Sequence, residues 1–242
     1  VSTRLIAVLI RFFRIPKSAG KSIDSSLKEY YVRLTPDMKT RDRSVRGHHF
    51  SIHVSYRDLF DFLSKDKKRS LGIKQEKVED YFKFCFVRNP WCRTLSHYNS
   101  KAAHLYGSNA YKPHRLKKSF NRWIVDKYDK TKSHNINDKP IPKRTLGDYP
   151  FLRTQQLQYI TEDMTTTGKV VVDFIGRFES FVQDINKLSL QLGVKINLPN
   201  KNLGKTKHLH YSHYYTPKSR KIISTLFGDD IEYFGYEFED RT

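Results

Sequence analysis

The chain's most restrictive feature is a strand-like run that stops abruptly at a proline. Leu5 to Ile15 is apolar and rich in β-branched residues, interrupted only by Arg11 and Arg14, and Pro16 ends it. Gly20, Lys21 and Ser22 then open a segment whose pattern predicts a helix through Tyr31. A strand feeding a short loop and then a helix gathers the loop's peptide N–H groups and the helix N-terminus at one point, where they can cradle an anion. Lys17 and Lys21 add candidate positive charges to that point.

The pattern recurs. Tyr81 to Val87 alternates aromatic and small apolar residues, as a buried strand does, and Pro90 suits the first position of a helix running to about His104. Farther on, Arg153 to Ile160 predicts a helix and Val170 to Ile175 a strand. Glu179 to Leu192 predicts a helix closed by Gly193, and a last helix starts near Pro217. Strands alternating with helices imply a parallel sheet, and 242 residues suit one α/β domain spanning residues 1–242. The stretch from about 106 to 150 is basic and broken by Pro113, Pro140, Pro142 and Pro150. It reads as an insertion with one helix around Phe120 to Tyr128.

Charge narrows the partners to anions. Lys plus Arg number 45 against 25 Asp plus Glu, a net charge of +20, so the surface concentrates nucleic acid, polyphosphate, acidic glycan or anionic membrane alike. Cys85 and Cys92 have neither the number for a disulfide framework nor the spacing of a zinc site, so no metal is expected. No apolar run is long enough to span a membrane. The compartment stays open: cytoplasm, or Golgi lumen if an N-terminal anchor has been removed.

Gly20-Lys21-Ser22 invites a Walker A reading, but that pattern wants glycine where this chain has Ile15. Ile15-Pro16-Lys17-Ser18-Ala19-Gly20-Lys21-Ser22 more closely resembles the 5′-phosphosulfate loop of sulfotransferases that use 3′-phosphoadenosine 5′-phosphosulfate (PAPS). That loop is usually written Pro-Lys-Thr/Ser-Gly-Gly-Thr-Ser, and Ala19 and Lys21 are departures from it. The resemblance implies that Lys17, Ser18, Ala19, Gly20, Lys21 and Ser22 hold the phosphosulfate, with Lys17 on the bridging oxygen.

A second motif separates the two readings. Phe86-Val87-Arg88-Asn89-Pro90, followed by a helix carrying Ser96, resembles the 3′-phosphate motif of the same family. A planar guanidinium at a strand end, and a hydroxyl two turns into the next helix, can reach the same phosphate oxygens, so Arg88 and Ser96 are the candidate ligands. Asp173 to Glu179, and His210 to Thr216 ahead of the aromatic stretch Ile231 to Phe238, resemble the carbohydrate O-sulfotransferases. The family implies a P-loop-like three-layer α/β sandwich, a central parallel sheet flanked by helices.

Sulfuryl transfer asks the protein to align attacking and leaving oxygens and to stabilise the charge between them. The resemblance assigns charge neutralisation to Lys17. It sets His53, in His53-Val54-Ser55, as the general base, with His49 second and His48 also in the cluster. His49, Arg153, Gln155 and Gln156 are candidates for the acceptor, a hydroxyl compound expected to be a carbohydrate, with an anionic one suited to the basic surface. Lys205, Lys207 and His208 are candidates to close over the nucleotide. PAPS is the expected donor and 3′-phosphoadenosine 5′-phosphate (PAP) the product. Two alternatives are a P-loop nucleotide or small-molecule kinase and a non-catalytic basic nucleic-acid-binding protein. The second is disfavoured because the aromatics follow strand and helix patterns instead of interleaving with lysines.

Overall fold

A computed structural model describes residues 10–23, 25–27, 81–106, 113–128, 154–197 and 209–242. In chain order the elements are β1 (Ile10–Phe13), β2 (Phe82–Val87), α1 (Pro90–Tyr106), α2 (Pro113–Tyr128), β3 (Phe174–Arg177), α3 (Phe181–Leu192), α4 (Pro217–Leu226) and α5 (Gly228–Phe234). Short 3-10 turns occupy Leu157–Tyr159 and Tyr211–Tyr214, and residues 20–23 and 25–27 are helical. The elements group into two compact units, one from Val1–Val87 and Leu157–Leu203, the other from Arg88–Gln156 and Gly204–Thr242.

The first unit is α/β. Its three strands are parallel in the order β1-β2-β3, so β2 is hydrogen-bonded on both sides, which explains why nearly all of it is apolar and buried. The register pairs Phe12 with Phe84 and Phe84 with Phe174. Because side chains alternate across a strand, Phe12, Phe84 and Phe86 share one face. There they pack with Ile23 and Leu27 of the helix after β1 and with Ile185, Leu188 and Leu192 of α3. The Phe12 and Phe84 rings stack at 4.9 Å. Each such ring contributes roughly 1.5–3 kcal/mol by leaving water. Gly193, in the left-handed region at φ 64°, closes α3 by donating its N–H to Leu190.

Two carboxylates tie the sheet's ends. Asp173 accepts the Lys83 N–H at 2.7 Å and returns its own N–H to the Lys83 carbonyl at 2.7 Å, extending the β2–β3 ladder by a side chain. Buried Asp184 accepts from the Arg177 N–H at 2.8 Å, the Ser180 hydroxyl at 2.7 Å and the Lys187 ammonium at 2.8 Å. Burial pushes that carboxyl up, but these donors outweigh it and hold it below its usual value.

Gly176 lies opposite Phe86, and a Cβ there would fall within 3.0 Å of three Phe86 ring carbons. That ring sits in the core cluster and meets two further rings, Phe174 at 6.2 Å and Phe181 at 5.4 Å, so it has little room to yield. Gly176→Ala is expected to cost roughly 1–3 kcal/mol through overpacking, read as a lower midpoint in thermal or urea unfolding. An unchanged midpoint would show that the ring swings aside freely.

The third strand begins later than its sequence predicts. Val170 forms an antiparallel bridge with Thr161, and Val171 donates its N–H to Ile160, so this apolar run is divided between two partners and only its end joins the sheet. The predicted helix at Arg153 to Ile160 is just the 3-10 turn Leu157–Tyr159, since the Gln156 N–H and the Gln155 and Gln156 amides bond elsewhere.

The second unit is helical. In α2, Leu116, Phe120, Ile124 and Tyr128 recur every four residues, and all are buried. Asn121 on the same helix donates to the Tyr214 carbonyl at 2.7 Å and accepts from the Thr216 N–H at 3.2 Å, which docks α2 against the capping box that starts α4. The predicted helix at Phe120 to Tyr128 therefore starts earlier, at Pro113, and forms core within a stretch read as an insertion. Pro113 fits there because the first position of a helix needs no N–H partner.

Candidate functional site

The loop after β1 is anchored by buried Ile15 and Pro16, with the Ile15 N–H donating to the Phe13 carbonyl at 3.1 Å. Lys17 at φ 68° and Ala19 at φ 62° then flank buried Ser18. Left-handed backbone costs an L-residue roughly 1–2 kcal/mol, so two such residues around one position are a conformation the fold enforces. Left- and right-handed residues in alternation turn consecutive peptide N–H groups inward as an anion-binding nest. Ala19 takes up this strained geometry where the resembling family usually has glycine. The Ser22 and Ile23 N–H groups both reach the Ala19 carbonyl, starting the helix, and the Gly20 and Lys21 N–H groups at its first turn remain unused within it. Gly20 has its own reason: the Arg14 side chain lies where a Cβ would stand. Lys21 is exposed. One loop thus assembles Lys17, Ser18, Ala19, Gly20, Lys21 and Ser22, with Arg14 beside them.

The second constellation belongs to the helical unit. Arg88 directly follows β2, and Asn89 caps α1: its Oδ1 accepts from the Trp91 N–H at 3.1 Å and more distantly from the Cys92 N–H at 3.4 Å. Having asparagine here supplies a donor too, since Nδ2 reaches the Glu237 carbonyl at 3.0 Å. The helix start is further tied by the Tyr215 hydroxyl donating to the Trp91 carbonyl at 2.9 Å and by the Trp91 indole donating to the Arg220 carbonyl at 3.3 Å. Burial raises the pKa of both Tyr211 and Tyr215, to about 12 for Tyr211, so these phenols stay neutral hydrogen-bonding groups at physiological pH.

Cys92 and Ser96 lie four residues apart on one side of the helix, and Arg88 precedes its first residue by two positions. The Arg88 guanidinium donates to the Cys92 sulfur from Nη2 at 3.0 Å and Nε at 3.3 Å, which lays it along that side. Ser96 is half-buried, and its hydroxyl has no partner among the described residues. A guanidinium fork and a hydroxyl on one helix side suit a phosphate.

Gln155 and Gln156 are engaged within the protein. Gln155 donates to Asp229 at 2.7 Å and accepts the Asp230 N–H at 2.9 Å; Gln156 is fully buried, with both ends of its amide on the Arg88 peptide. His48, His49, His53, Arg153, Lys205, Lys207 and His208 lie outside the described residues. Sequence reasoning missed the Cys92 and Gln156 contacts to Arg88. The four-residue step from Arg88 to Cys92 was a usable signal; nothing local marked Gln156. Among the described residues no group of His, Cys, Asp or Glu could hold a metal ion, and no helix is long and apolar enough to cross a membrane.

The loop, the strand-end arginine and the capped helix lie within a stretch, residues 9–237, that matches the model of the sulfotransferase family. The chain belongs to that family, and so to the transferases. No curated protein and no solved structure matches it.

Proposed function

We propose that this chain transfers the sulfuryl group of PAPS to a hydroxyl of a carbohydrate acceptor, using a histidine general base on a P-loop-like α/β sandwich. The observation that carries the donor assignment is the left-handed pair Lys17 and Ala19 around Ser18, a conformation suited to an anion and found in the segment that resembles the phosphosulfate loop. PAPS supplies an activated sulfuryl group on a phosphate leaving group. In this reading Lys17 neutralises charge at that phosphate, the peptide N–H groups through Ser22 hold its oxygens, and Arg88 with Ser96 holds the 3′-phosphate. His53 takes the acceptor's proton, with His49 as second candidate, and Lys205 and Lys207 close over the nucleotide. The carbohydrate assignment rests on the resemblance of Asp173 to Glu179 and His210 to Thr216, and the net charge of +20 favours an anionic glycan.

The test is transfer of labelled sulfate from PAPS across a panel of oligosaccharides, a tyrosine peptide and small alcohols. Label is expected in an oligosaccharide. Since lysine and peptide groups compensate the charge, activity should persist in EDTA. Label in none of the acceptors, with magnesium-dependent transfer from ATP instead, would establish the kinase reading.

A further inference from the structure

Gln156 and Arg88 are 68 residues apart in sequence, and the buried carboxamide of one is devoted to the backbone of the other. The Arg88 N–H donates to Oε1 at 2.9 Å, and Nε2 donates to the Arg88 carbonyl at 2.9 Å. A neighbouring strand would satisfy a residue by the same two-point closure. Gln156 is itself held: its peptide N–H donates to Oδ2 of fully buried Asp230 at 2.7 Å, beside the Gln155 hydrogen bonds to Asp229 and Asp230. On the other side of Arg88, Asn89 caps α1. The peptide that carries the guanidinium is thus gripped from both directions, and the Cys92 sulfur orients its tip.

We propose that Gln156 is a positioning residue that aims Arg88 at the 3′-phosphate, so that discrimination for that phosphate depends on a carboxamide that never touches the nucleotide. The inference rests on reading Arg88 as the 3′-phosphate ligand, and it moves Gln156 from the acceptor to the donor. Calorimetry with PAP and with adenosine 5′-monophosphate, which lacks only the 3′-phosphate, provides the test on wild type, Arg88→Ala, Gln156→Met and Gln156→Glu.

Wild type is expected to prefer PAP, and Gln156→Met to lose that preference by on the order of tenfold with monophosphate affinity unchanged. A neutral glutamic acid both donates and accepts, whereas its carboxylate only accepts. Gln156→Glu should therefore match wild type near pH ~5 and fall toward the methionine variant near pH ~8, each compared with wild type at the same pH. Preference kept in Gln156→Met but lost in Arg88→Ala would overturn the inference. So would equal weakening of both nucleotides, or failure of both Gln156 variants to fold, since either outcome makes the residue structural alone. A wild type with no preference for PAP would instead overturn the reading of Arg88, and the inference with it.

Discussion

Arg88→Ala is expected to weaken PAP binding on the order of a hundredfold while moving the unfolding midpoint little. The two halves of that expectation have separate grounds. A guanidinium fork on a phosphate makes two charge-assisted hydrogen bonds, each stronger than a neutral one, and no other side chain of the Arg88-Asn89-Pro90 turn can replace them. Within the protein the side chain is only half-buried and donates to the weak acceptor Cys92, so its removal opens little of the core. The backbone grip by Gln156 survives, because it uses the peptide and not the side chain. Arg88→Lys should fall between, since an ammonium keeps the charge and loses the fork. Calorimetry showing wild-type affinity in the alanine variant would remove Arg88 from the nucleotide site.

His53→Ala carries the other large effect: turnover should fall roughly 10²- to 10⁴-fold, the usual contribution of a general base, with PAP affinity changed less than about twofold. The separation matters, because a base acts on the acceptor hydroxyl and has no part in holding the donor phosphates. The pH profile gives a second readout. A base must be neutral to accept a proton, so wild-type turnover should rise through the histidine range near ~6.5, and the variant should lose that limb. If His53→Ala turns over normally and His49→Ala does not, the base is His49.

Much of the architecture was legible because it depends on near neighbours in sequence. Pro90 could begin a helix and Gly193 could adopt the left-handed backbone that closes one, and the structure has both at those positions; the first strand stops at Phe13, two residues short of the Ile15 end that Pro16 marked. The alternation in Phe82–Val87 marked the central strand for the same reason. Where two distant segments compete for one set of peptide groups, local pattern fails. Val170 to Ile175 looks like a single strand, yet it divides between Thr161 and the sheet, and neither partner can be inferred from the run itself. The basic, proline-broken stretch after Tyr106 looked peripheral because its polar residues outnumber the four-residue stripe of α2 that builds core.

The loop at Pro16 to Ser22 and the Arg88-Asn89-Pro90 turn were legible in sequence alone, as residue types at fixed spacing that resemble two motifs of the family. What only the tertiary structure decided is how each is held in shape. A strained φ at Ala19 follows from the packing around the loop, since the residue type by itself opposes it. The aim of Arg88 depends on Gln156, which is 68 residues away and is brought to that peptide only when the chain folds. A hydrogen bond over that separation leaves no periodic trace, because its geometry is set by elements packing together and not by residues that are neighbours in the chain.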